Sequence, residues 1–133
     1  MAADGLTTMR SNHGPKDTMN RLEAEAKARG MTIFARIDHT AGAIAAGLSL
    51  PPTEVLIFGN AKGGTPLMQS IQTIGIDLPL KALVWQDAGG DTWLSYNEPD
   101  WLAKRHGLSS ETETAAGILA GALAALAKAA TTG

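Results

Sequence analysis

The chain has 133 residues, of which 44% are hydrophobic and 18% charged, with Lys plus Arg 11 against Asp plus Glu 13 and a net charge of −2. That length suits one domain, which buries roughly two-thirds of its unfolded surface, and the near-balance of charge offers no basic footprint for nucleic acid or for an anionic membrane. Cysteine is absent, which excludes disulfides, thiolate catalysis and Cys-ligated zinc.

The opening "MAADGLTTMRSNHG" has no basic n-region followed by an apolar stretch, so the expectation is a cytoplasmic protein. "GLTTM" reads as a short first strand. Pro15 and Asp17 then open a helix, with Met19, Leu22 and Ala26 at helical spacing and Gly30 as its stop. "MTIFARID" follows as a strand, Ile33, Ala35 and Ile37 alternating against Thr32, Phe34 and Arg36. Both of its faces are partly apolar, so the sheet is expected to be covered on part of each. Asp38 or Thr40 caps a short alanine-rich helix that ends at Gly47, and Pro51 and Pro52 make a rigid connector.

"TEVLIFG" is a buried strand, and after it comes "GNAKGGTPLM". The glycines read as a turn, Thr65 and Pro66 as a helix start, and Leu67, Met68, Ile71 and Ile74 as the inner face of a helix closed by Gly75. Residues 80–97 read as a hairpin around Ala88, Gly89 and Gly90, the two glycines supplying positive φ. Trp85 and Trp93 flank that turn at equal distance and pair across the strands. "EPDWLAKRHG" is a short helix. Residues 109–133 form an alanine-rich helix, with Ser110 and Glu113 at capping-box spacing and Glu111 and Lys128 suited to the two ends of its dipole. Its apolar run is shorter than the ~20 residues that a bilayer needs. The Gly117/Gly121 pair lets helices approach closely, within the chain or between chains.

"RIDH", Gly47, "LIFGNAKGGTPLM", "DLPLKALVWQD" and "LSYNEPDWLAKRH", in that order, resemble the bacterial and archaeal domain-of-unknown-function family 302 over residues 5–107. The resemblance implies an α/β (α+β) two-layer sandwich and association as homodimers, and it implies no reaction. Ala61 and Gln86 depart from the family's pattern, which places proline and glutamate there. The expected organisation is therefore a single α/β domain over 1–107, with a mixed sheet of about five strands, and an alanine-rich helical tail over 108–133.

A strand, a glycine turn and a helix start would direct backbone N–H groups at an anion. Asn60, Lys62, Gly63, Gly64 and Thr65 are therefore the candidate ligand-binding residues, with Lys62 as charge partner. The spacing is not that of a Walker A loop, and a plain turn with Thr65 as cap is the structural alternative. Tyr96 and Asn97 are weaker candidates to line the same cleft as Asn60. Asp38 and His39, at a strand end, are weak candidates for acid–base catalysis together with Lys62. His13, His39, His106, Asp38 and Asp87 lack metal-ligand spacing, so no metal site is expected, and no cofactor is implied. The reading is a homodimer that binds a small anionic molecule. Its rivals are a small enzyme and a purely structural or protein-interaction module.

Overall fold

The computed structural model describes residues 3–133. One sheet contains β1 Leu6–Arg10, β2 Thr32–Asp38, β3 Thr53–Gly59, β4 Leu80–Gln86 and β5 Thr92–Asn97, in the spatial order β1-β5-β4-β3-β2. Every neighbouring pair is antiparallel, so the sheet is not mixed. The helices are α1 Pro15–Ala28, α2 His39–Ala45, α3 Ala61–Ser70, α4 Pro99–Arg105 and α5 Glu113–Thr131.

Strand alternation decides where the core lies. Leu56, Phe58, Leu80, Ala82, Val84 and Leu94 share one face through the registers Leu56↔Ala82, Phe58↔Leu80 and Val84↔Leu94. They pack into one core with Met19, Leu22 and Ala26 of α1, Leu67 of α3 and Leu119, Leu123 and Leu126 of α5. The result is a two-layer sandwich. The opposite face carries Ile37, Val55, Ile57, Leu83 and Trp85, and no helix is laid over it among the described residues. That corrects the expectation of a sheet covered on part of each face.

Three local readings also change. In β2 a bulge between Ile33 and Ala35 breaks the alternation, so Ile33 opposes Phe58 on the helix face while Ala35 and Ile37 oppose Ile57 and Val55 on the open one. Arg36 is thereby turned to the helix side, where its guanidinium donates to both Glu54 carboxylate oxygens at 2.7 and 3.1 Å. That pairing raises the already high Arg36 pKa. The helix after β3 begins at Ala61 rather than Thr65, and it stops at Ser70, where a 3-10 segment over Gln72–Asp77 takes over. The hairpin turn uses positive φ at Gly90 (89°) and not at Gly89.

The last helix is part of the core. α5 packs on α1, α3 and α4, with Ala116, Ala127 and Ala130 almost fully buried. Gly117 and Gly121 face outward, with no heavy atom near enough to meet an added Cβ. The capping box does not form: Ser110 lies in a 3-10 turn, and α5 starts at Glu113 behind Thr112, whose side chain makes no cap. The expected place of Glu111 at the helix dipole lies outside the described side chains. By length and composition α5 is the one helix among the described residues able to cross a membrane. Its leucines are nonetheless spent on the domain's own core.

Candidate functional site

Where β3 runs into α3, a cleft of ≈270 Å³ opens at the sheet edge. Asn60, Ala61, Gly64, Thr65 and Met68 form one wall, at the spacing of a single helix face. Gly75, Leu78, Pro79 and Leu80, from the 3-10 segment and the entry to β4, form a second. Met31, Phe34 and Leu119 complete it from the β2 side and from α5. Phe34, displaced by the bulge, is 57% exposed.

The first turn of α3 explains its own sequence. Asn60 is the N-cap, its side-chain oxygen accepting from the Gly63 N–H at 2.7 Å. Gly63 is tightly packed, because an added Cβ would lie 3.0 Å from the Leu119 Cδ2 and that side chain would have to give way. Its glycine allows α3 and α5 to approach closely. At Gly64 an added Cβ meets only ordinary contacts, 3.5 Å to Leu78 and 3.8 Å to Met68, and that space opens to the cleft. Pro66 lies inside the helix, where its missing N–H leaves the Lys62 carbonyl without the usual partner. Lys62 is exposed and makes no ion pair among the described residues. Of the five candidates, Asn60, Gly64 and Thr65 line the cleft, and Lys62 and Gly63 are not among its lining residues.

The other candidates are elsewhere. Asp38 caps α2, accepting from the Ala41 N–H at 2.9 Å, and His39 is the exposed first residue of that helix. Asp38 opposes Glu54 while Thr32 opposes Gly59, so Asp38 and Lys62 lie at opposite ends of the β2–β3 ladder, about 20 Å apart at the usual rise per residue. A joint role for Asp38, His39 and Lys62 is therefore not assembled. Tyr96 and Asn97 do not line the cleft with Asn60. They border a shallow hollow of ≈540 Å³ with Leu6, Lys81, Leu83 and Trp85. Burial pushes the Tyr96 phenol up, and the nearby Glu98 carboxylate adds to the shift.

A cluster that the sequence did not suggest ties α4 to the 3-10 segment. The Asp77 carboxylate accepts from Arg105 at 2.8 and 2.9 Å and pairs with His106 Nε2 at 2.6 Å, while His106 Nδ1 meets the Thr73 hydroxyl at 3.1 Å. It holds to α4 the 3-10 segment that contributes Gly75 to the cleft. Its only sequence signal was a basic pair at a helix end, which the dipole alone already explains. No group of three or more His, Asp or Glu among the described residues is arranged to hold a metal.

The family model described as domain of unknown function DUF302 matches residues 7–126, so it runs well into α5 and past the residue-107 limit that the motifs marked. The crystal structure of an uncharacterized conserved protein DUF302 from Bacillus stearothermophilus superposes with a TM-score of 0.85, covering 96% of this chain and 99% of that one at 22% identity. At that identity the likeness is one of fold. Two Brucella proteins, each named fluoride-specific ion channel FluC 1, from Brucella suis and Brucella abortus, are 52% identical over 111 residues. The match takes in 84% of this chain but 44% and 41% of those relatives, so the chain spans less than half their length.

Proposed function

The chain belongs to the DUF302 family, and on that premise we propose that it binds a small anionic molecule where the cleft meets the start of α3. The observation that carries this reading is the position of the cleft against the first helical turn. The Ala61 and Lys62 N–H groups precede the first intrahelical bonds of α3, which run from Gly63 and Gly64 back to Asn60. The positive end of the helix dipole and the Lys62 ammonium act in the same sense. Acid–base catalysis is not part of the proposal, because Asp38 and His39 stand at the far end of the sheet.

Amide NMR titration with phosphate, sulfate and fluoride tests it. Fluoride belongs in the series because the Brucella relatives carry fluoride-channel names; a pore itself is not proposed, since α5 is packed into the fold. Residues 61–64 are expected to shift in a saturable way, and Lys62→Ala to weaken binding several-fold without unfolding the domain. Absence of any shift at millimolar anion would reduce the segment to a capped helix start.

A second reading rests on the open sheet face, which we propose pairs two copies of the chain. At about 4.8 Å between strands and about 3.3 Å per residue the face spans roughly 500 Å². Leu6 and Ile37 on that face are exposed, and each side of a stable interface contributes roughly 800 Å².

A further inference from the structure

We infer that the molecule held in the cleft is an aliphatic carboxylate, its acid group at the α3 start and its alkyl chain laid between Met68 and Leu119. The inference rests on the anion reading above and adds the chemistry of the ligand's body. Apart from Asn60 and Thr65, both at the α3 end, every side chain lining the cleft is apolar. The Asn60 oxygen is already engaged by the Gly63 N–H. An inorganic anion would leave the apolar remainder of the cleft without a partner, whereas an alkyl chain fills it. Met31 and Met68 are unbranched and polarizable, and such side chains can reshape around a flexible alkyl chain.

The cleft also limits length. If a methylene takes about the ≈30 Å³ share of a liquid water, then ≈270 Å³ accommodates about nine heavy atoms. Each methylene withdrawn from water is worth about 0.8 kcal/mol, which is about fourfold in affinity. Affinity is therefore expected to climb about fourfold per carbon from butanoate through hexanoate to octanoate, and to level off in longer acids.

Gly64 lines the cleft between Leu78 and Met68. Gly64→Ala adds a methyl that points at Leu78 and Met68 at ordinary contact distance, and alanine favours a helix over glycine, so the variant folds at least as well. It is expected to lower octanoate affinity several-fold, in the range of a single methyl group. Calorimetry on the full chain with butanoate, hexanoate, octanoate, octanol and phosphate reads all of this. A flat series, with phosphate bound as tightly as octanoate, would overturn the aliphatic inference and leave the anion reading intact. Octanol bound as tightly as octanoate, with no effect of Lys62→Ala, would overturn the carboxylate and the anion reading together.

Discussion

The central strands put apolar side chains on both faces of the sheet, and the two faces end in different states. The open one also carries Thr8, Arg10, Lys81 and Ser95. On the helix side Leu56, Phe58, Val84 and Leu94 have lost almost all contact with solvent, and α1 and α5 supply their partners. On the other side Val55, Ile57, Leu83 and Trp85 are only half-buried, and Ile37 and Leu6 are exposed. Polar groups on that side are satisfied locally: the Trp85 indole N–H donates to the Ser95 hydroxyl at 2.9 Å, and Ser95 pairs with Thr8 at 2.8 Å. An antiparallel sheet with one solvated face normally shows polar residues there. Among the described residues, this chain's own helices complete one core only, and the apolar side chains of the other face keep part of their contact with solvent.

The largest expected effect breaks the comparison by exchanging the roles of its two sides. Leu126→Ala removes a fully buried side chain from the contact of α5 with the core. It is expected to lower stability by about 2–5 kcal/mol in urea unfolding. Leu83→Lys, on the open face, is expected to cost the monomer far less and to abolish association in sedimentation equilibrium. If Leu126→Ala were harmless, α5 would be an appendage after all. If Leu83→Lys left the sedimentation profile of the wild type unchanged, the open face would not be where copies meet.

The sequence made one half of this arrangement legible. The continuous Val55–Phe58 run identified a central strand, and the turn residues around Gly90 identified the hairpin. Neither signal distinguishes a face covered by the chain's own helices from one covered by another molecule, because both demand apolar side chains. The cleft was half legible for a different reason. Asn60, Gly64 and Thr65 are close in sequence and could be read together, whereas Met31, Phe34 and Leu119 reach it from distant segments. Phe34 does so only because of a bulge that no alternation pattern announces. Two glycines and Pro66 disguised the start of α3, since glycine and proline ordinarily argue against a helix interior. The α5 register was readable from Leu119, Leu123 and Leu126, but its target was not.

A smaller effect sharpens the turn that joins β4 to β5, the strands that contribute to both faces. Gly90 has φ 89°, where a β-branched side chain is strained, while Gly89 has no such backbone requirement. Gly90→Val is expected to lower stability by about 1–2 kcal/mol. Gly89→Ala, whose added Cβ lies 3.4 Å from the Asp87 Oδ1, is expected to cost well under half of that. Equal effects in the urea midpoint would mean that the turn tolerates side chains regardless of φ.

The smallest effect concerns charge at the same turn. Asp87 accepts from the Trp93 indole N–H at 2.8 Å and from the Asp91 N–H at 2.9 Å, so its carboxyl is held below the usual carboxylate range, with the Trp93 bond as the first cause. A carboxylate whose folded pKa lies below its unfolded one stabilises the fold above the unfolded value of 3.8. That contribution is lost as the pH falls through the lower, folded value. Trp93→Phe removes the donor from the open face and keeps an aromatic ring opposite Trp85, whose indole now stacks on Trp93 at 6.1 Å. The Asp87 carboxyl, followed by NMR through an acid titration, is therefore expected to titrate at higher pH in the variant than in the wild type, while the Trp85 side chain keeps its place. An unchanged Asp87 titration would show that the backbone N–H groups of the turn hold the carboxylate without help from the open face.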